Sequence, residues 1–280
     1  MREVTTDEIK AAIKKLLLQA NYHLCSDIKR KLEDSSKKEV SELGKDILDS
    51  LIRNAEAASK NEVAICQDTG MVIVFMEIGQ DVHITGGNIN NCINLGVKEA
   101  YEEGYLRKSI VHDPLNRVNT GDNTPAIIYY EIVPGENIDI KVMPKGFGSE
   151  NMSAVKMLKP SDGVEAVIEF IIDTVKKAGP NPCPPIIVGV GIGGTMEKAA
   201  LLSKKSLLRP IDQHNTNEFY RDLEKKVLHE INNLGIGPQG LGGITTALGV
   251  NIEYYPTHIA GLPVAVNISC HATRHAQVTI

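Results

Sequence analysis

At Glu62 the chain changes its hydrophobic period. Before it, Ile9, Ile13, Leu16, Leu17 and Ala20 form one helical stripe, and Leu43, Ile47, Leu48, Leu51, Ile52 and Ala55 form a second. Thr5 and Glu8 make a capping box for the first of these helices. After it come short apolar runs, Val63 to Ile65 and Met71 to Ile78, separated by Gln67-Asp68-Thr69-Gly70, which reads as strand, turn, strand. A helix follows from about Asn90 to Glu103. Ala126 to Val133 and Ile138 to Met143 are then expected to pair as strands across the turn Pro134-Gly135.

The second half alternates: helix Gly163 to Lys177, strand Pro185 to Val190, helix Met196 to Leu208, helix Asn217 to Asn233, and closing strands Ile252 to Tyr255 and Leu262 to Ile268. Both periods together predict a mixed α and β architecture, a helical N-terminal segment followed by α/β units. A soft boundary near Lys159-Pro160-Ser161-Asp162-Gly163 divides a region 1–160 from a region 161–280, and the two could also form one domain.

Composition narrows the class. A 280-residue chain with 42% hydrophobic and 23% charged residues can bury a substantial core. Its net charge of −5 argues against a nucleic-acid binder, which needs a clustered basic surplus, so the lysine pairs read as solvated helix faces. No apolar run reaches the roughly 18 residues of a membrane span, and the polar start lacks a signal-peptide core, so a cytoplasmic location is expected.

Five cysteines, an odd number scattered over a long chain, do not suit a disulfide framework. Cys92 falls in a helical stripe with Ile89, Ile93, Val97 and Tyr101, and Cys25 ends a helical segment, so both read as small buried hydrophobes. Cys66, Cys183 and Cys270 differ, because each borders an apolar strand-like run, Cys66 and Cys270 after theirs and Cys183 before Pro185 to Val190, and lies in a polar or proline-rich turn, where a thiolate can face a metal. They are separated by 117 and 87 positions with no CxxC pair. Three dispersed thiolates suit a 4Fe-4S cluster with one open iron better than a closed four-ligand zinc site.

Gly189-Val190-Gly191-Ile192-Gly193-Gly194 meets the G-x-G-x-x-G pattern after one strand and before a helix, which makes a dinucleotide-dependent oxidoreductase the rival reading from another class. The second strand with its acidic end is missing before Asp212. The glycines could instead permit close backbone approach to a buried cluster or to another strand.

Six strings occur in one order along nearly the whole chain: Ile65-Cys66-Gln67-Asp68-Thr69-Gly70, Asn119-Thr120-Gly121-Asp122-Asn123-Thr124-Pro125-Ala126, Lys145-Gly146-Phe147-Gly148-Ser149-Glu150-Asn151, Cys183-Pro184-Pro185, Leu234-Gly235-Ile236-Gly237-Pro238-Gln239-Gly240 and Cys270-His271-Ala272. Together they resemble the alpha subunit of class I, iron-sulfur fumarate hydratases and of the related L-tartrate dehydratases. The resemblance implies a cleft holding a 4Fe-4S cluster on Cys66, Cys183 and Cys270, its open iron binding a small dicarboxylate. It assigns substrate contacts to Gln67, Arg107 and Gly148, and catalytic roles to Asp68 and His258. Phe147 stands where many single-chain members carry a glycine. Asn123-Thr124-Pro125-Ala126 and the Gly148-Ser149-Glu150-Asn151 loop keep the fumarase-like form, while Gly235 to Gly240 resembles the tartrate branch, so fumarate hydration is expected and tartrate dehydration is the alternative. Single-chain members continue beyond the last cysteine into a domain carrying a threonine base and further carboxylate-binding residues. Here only ten residues follow Cys270, so a separate beta subunit is expected to supply that domain, within an alpha-beta pair that itself dimerises.

Overall fold

The computed structural model describes residues 2–280. In chain order the elements are β1 (Arg2–Thr5), α1 (Thr6–Tyr22), α2 (Ser26–Lys38), α3 (Glu42–Asn61), β2 (Met71–Gly79), β3 (Val82–Thr85), α4 (Ile89–Glu103), β4 (Ile127–Val133) and β5 (Ile138–Lys145). They continue as α5 (Phe147–Glu150), β6 (Ala154–Leu158), α6 (Gly163–Ala178), β7 (Ile186–Gly193), α7 (Met196–Lys205), α8 (Glu218–Asn232), β8 (Ala247–Tyr255), β9 (Leu262–Ser269) and β10 (Ala276–Thr279). The mixed α and β expectation holds. Two compact units form, one from Met1–Cys25, Ala55–Phe147 and Arg274–Ile280, the other from Ser26–Asn54 and Gly148–Thr273.

In the first unit α1 starts at the expected capping box. The Thr5 hydroxyl accepts from the Glu8 N–H at 3.2 Å, and the Thr5 N–H donates to the Glu8 carboxylate at 2.7 Å. Its buried stripe of Ile9, Ile13, Leu16 and Leu17 packs with Ile93, Val97 and Tyr101 of α4 onto a sheet of order β10-β5-β2-β4. β2 takes the centre because Val72 to Met76 are buried on both faces, and a strand buried on both faces needs neighbours on both edges.

This overturns the expected pairing of β4 with β5. β4 runs parallel to β2 and β5 antiparallel to it, one on each side. The turn at Pro134-Gly135 therefore crosses the end of β2. Gly79 allows the crossing, since a Cβ there would lie 2.4 Å from the Gly135 carbonyl oxygen. Val63 to Ile65 is not a strand either. The stretch is confined between the end of α3 and the Cys66 turn, and the Ile65 N–H bonds the Asn21 carbonyl of α1.

The second unit carries a sheet of order β6-β9-β7-β8. Every residue of β7 is buried, and the period of two divides its faces. Ile186, Val188 and Val190 join the apolar core with Ile171 and Val175 of α6 and Val227 and Ile231 of α8. On the opposite face Gly189 and Gly191 lie under α7, where an added Cβ would come 2.2 Å from the Ser203 carbonyl oxygen and 2.1 Å from that of Ala199.

Gly189 and Gly191 of the glycine pattern are thus mid-strand backbone that lets a helix settle directly on the sheet, while Gly194 lies in the bend after β7. The expected strand end at Val190 was three residues short, and no loop exists there to cradle a pyrophosphate. The structure supports the close-approach alternative: the approaching backbone is a helix at Gly189 and Gly191 and strand β8 at Gly193, where an added Cβ would lie 2.0 Å from the Tyr255 carbonyl oxygen. α2 also belongs to this unit: Asp27 accepts from the Ile211 N–H at 2.9 Å, and Ile28 and Leu32 are buried.

Candidate active site

Cys66 sits in the turn leading into β2, with Gln67 beside it; the Cys66 thiol lies 3.3 Å from the Gln67 amide oxygen. The next residue is held from three sides. One carboxylate oxygen of Asp68 accepts from the Gly70 N–H at 3.1 Å and lies 3.4 Å from the Arg107 guanidinium, while the other accepts from the Phe147 N–H at 2.9 Å. Arg107 stands in the long loop after α4, its side chain 55% exposed, with Nε donating to the Ser109 hydroxyl. An exposed ion pair contributes little to stability, so this one leaves the guanidinium available to a ligand.

The scaffold beneath these side chains explains why the flanking motifs matter. Asn123 is fully buried at φ 63, a left-handed conformation that asparagine tolerates. Its side chain donates to the Gly70 carbonyl at 3.2 Å and accepts from the Ser109 N–H at 2.7 Å, tying the Asp68 turn to the Arg107 loop. Thr69 makes a second tie, its hydroxyl donating to the Arg107 carbonyl at 2.7 Å. Tyr101 donates to the Thr69 carbonyl at 2.6 Å; burial pushes its phenol far above the ordinary value, so it remains a donor.

Sequence reasoning missed Tyr101, Thr69 and Arg274 as supports of the site. Arg274 is 3% exposed, and its Nη2 donates to the Asp68 carbonyl. The available signal was its place four residues after Cys270.

In the second unit the register pairs Ile187 of β7 with Ser269 of β9. Cys183, just before β7, and Cys270, just after β9, therefore lie toward the same end of the sheet. Cys183 is exposed and has φ 54. Its carbonyl lies 3.0 Å from Nδ1 of His271, while the Pro184 carbonyl accepts from both the backbone N–H and the side-chain amide of Gln239, at 2.7 and 2.8 Å. Three strings read separately, around Cys183, Gln239 and Cys270, are thereby one local structure.

Gly148 opens onto free space in α5, where an added Cβ would meet nothing nearer than the Asn181 carbonyl oxygen at 3.8 Å. His258 occupies an exposed turn after β8, where Nδ1 accepts from the Ala260 N–H at 3.2 Å; a neutral ring then carries its proton on Nε2. Cys25 is no simple buried hydrophobe, since its thiol lies 3.7 Å from Nδ1 of His275.

The family model described as fumarate hydratase (Fumerase) matches residues 10–279. The chain belongs to that family. A Methanocaldococcus jannaschii protein, provisionally named L(+)-tartrate dehydratase subunit alpha, is 46% identical over 275 residues, covering 96% of each chain. The Escherichia coli L(+)-tartrate dehydratase subunit alpha is 34% identical over 258 residues, covering 91% of this chain and 84% of that one.

Membership in the fumarate hydratase family makes the chain a hydro-lyase component. The donor set is compatible with an iron-sulfur group: none of the five cysteines is in a disulfide, and Cys66, Cys183 and Cys270 each lie outside helix and strand, in the segments leading into β2, into β7 and out of β9. Among the described residues no three His, Cys, Asp or Glu side chains are gathered as a metal-binding set. A second observation bears on the fit. Nε and Nη1 of Arg274 are buried with no hydrogen-bond partner, two donors that an anionic centre could satisfy. No helix among the described residues is long and apolar enough to cross a membrane.

Proposed function

We propose that this chain is the alpha subunit of a 4Fe-4S hydro-lyase that interconverts fumarate and L-malate. The observation that carries the reading is the Asp68 carboxylate, fixed by two backbone N–H groups and Arg107 in the turn that begins at Cys66 and Gln67. Cys66, Cys183 and Cys270 would hold the cluster. Once bound, it supplies a Lewis-acidic iron for the substrate's hydroxyl and carboxylate oxygens.

Everything else falls to side chains. Arg107 offers a planar fork for a carboxylate oxygen pair, a geometry lysine cannot reproduce. Gln67 adds an amide beside Cys66, and Gly148 presents backbone without a side chain in the way. Asp68 and His258 are assigned to the proton at the leaving oxygen, Asp68 because its carboxylate is held in one orientation and His258 because Nε2 is the exposed donor. A beta subunit completes the site; relatives named as alpha subunits match this chain over nearly its full length.

L(+)-tartrate is the second reading, favoured by those relatives' names. Co-purification with a candidate beta chain under argon, followed by rates on fumarate, L-malate and L(+)-tartrate with and without nicotinamide cofactor, decides between them. We expect malate formation from fumarate with no cofactor requirement and almost none from the alpha chain alone. Faster turnover of L(+)-tartrate than of L-malate moves the protein to the second reading.

A further inference from the structure

The guanidinium of Arg274 is a buried cation whose charge no side chain answers. It lies 3% exposed just before β10, and its Nη2 is used on a neutral acceptor, the Asp68 carbonyl. The nearby Asp68 carboxylate is already engaged by Gly70, Phe147 and Arg107. Tyr101 supplies no counter-charge, because burial keeps its phenol protonated even with Arg274 pulling the other way. Nε and Nη1 are left buried without a partner. A desolvated cation with open donors is strongly unfavourable unless an anion completes it.

The missing anion must be close to the Cys66 turn, because Nη2 is anchored two residues from Cys66. It must also be resident, since a side chain this buried is poorly placed to meet an exchanging substrate. A cluster carried by three thiolates is a net anion, and its sulfurs accept hydrogen bonds.

We propose that Arg274 is a positioning residue for this centre: Nη2 fixes the turn carrying Gln67 and Asp68, while Nε and Nη1 donate to sulfur on the Cys66 side of the cluster. This rests on the iron-sulfur reading above and adds to it a source of the centre's reduction potential and of its retention.

The test uses the full chain, reconstituted anaerobically with ferrous iron and sulfide, as wild type, Arg274→Lys and Arg274→Met. Iron and sulfide content, the midpoint potential by EPR-monitored titration, and the rate of iron loss to a chelator are read on each, with circular dichroism to compare folding. Removing the cation should disfavour the reduced cluster by about tenfold, a fall of about 59 mV for a one-electron couple, and should speed iron loss. Arg274→Lys keeps the charge and should recover most of the potential. A residue that only braces the fold would move melting temperature in both variants and leave the potential alone.

A wild-type chain that takes up no cluster overturns both the iron-sulfur reading and this inference. Folded, cluster-bearing variants with the wild-type potential overturn the role of Arg274 alone. Should neither variant fold, protein labelled with 15N-arginine on an Arg107→Lys background still decides the matter. Electron-nuclear coupling from arginine nitrogen to the reduced cluster is expected, and its absence overturns the proposal.

Discussion

Replacing Cys66, Cys183 or Cys270 removes a thiol from a turn, whereas replacing Cys92 removes one from the surface of α4. Alanine at any of the first three should abolish most of the iron bound after anaerobic reconstitution, and Cys92→Ala should leave it unchanged; iron and sulfide analysis reads the difference. Retention after Cys183→Ala with loss after Cys92→Ala would reverse the assignment. At this scale the sequence marks out positions where a residue type sits in a turn with few structural uses. Cys66 and Cys183 stand out because each opens a turn, and Gln67 and Asp68 because they share one. Tyr101 was not legible as a support, because a tyrosine on a helical stripe reads as core, and its phenol reaches the Thr69 carbonyl only through the packing of α4. Asn123 belonged to a family-like string, yet its work of joining two loops depends on a left-handed backbone that the string does not reveal.

β7 and α7 make a prediction of their own. A methyl added at Gly191 would meet the α7 backbone at 2.1 Å, and a helix backbone cannot swing aside as a flexible side chain can. Gly191→Ala should destabilise by about 1–3 kcal/mol through overpacking. Gly148→Ala has open space around it and should change stability by less than about 0.5 kcal/mol. Urea midpoints of the two variants, compared with wild type, check the contrast; equal shifts would mean that α7 does not rest on β7 as described. Elements with a strong period were readable in advance, as α1, α4 and α6 were, to within a residue or two. Partners of strands were not: β4 and β5 lie four residues apart in sequence and still separate around β2, because the burial of β2 outweighs the convenience of a hairpin. α2 falls inside the expected helical N-terminal segment but shows no stripe of its own, since Ser26-Asp27-Ile28-Lys29-Arg30-Lys31-Leu32 offers few apolar positions and its anchor is a carboxylate bonded to a distant backbone N–H.

For the whole molecule, acid should act first through carboxylates that receive backbone hydrogen bonds. Glu39 is 2% exposed. Burial raises its carboxyl, but the N–H groups of Ile244, Ser41 and Val40 and the Thr245 side chain together outweigh that, and the net position is below the ordinary 4.5. Its contribution is therefore complete above the unfolded-state value and is lost as pH falls through the lower native one. Glu39→Gln should be less stable at neutral pH and lose less further stability on acidification than wild type, as chemical unfolding from pH 7 to pH 3 would measure. A parallel acid limb in the two proteins would remove Glu39 as its source. The order in which the chain is made has another effect. β10 pairs with β5, and Ile280 exchanges backbone hydrogen bonds with Ile138, so the first unit needs residues at both ends of this sequence. On a ribosome, the segment begun first would be finished last, after residues 148–273 have already emerged. Arg274 arrives with that final strand, so an unfinished chain has neither the complete four-stranded sheet nor the cation beside the Cys66 turn. On the proposed iron-sulfur reading, iron offered too early during synthesis would find its seat incomplete.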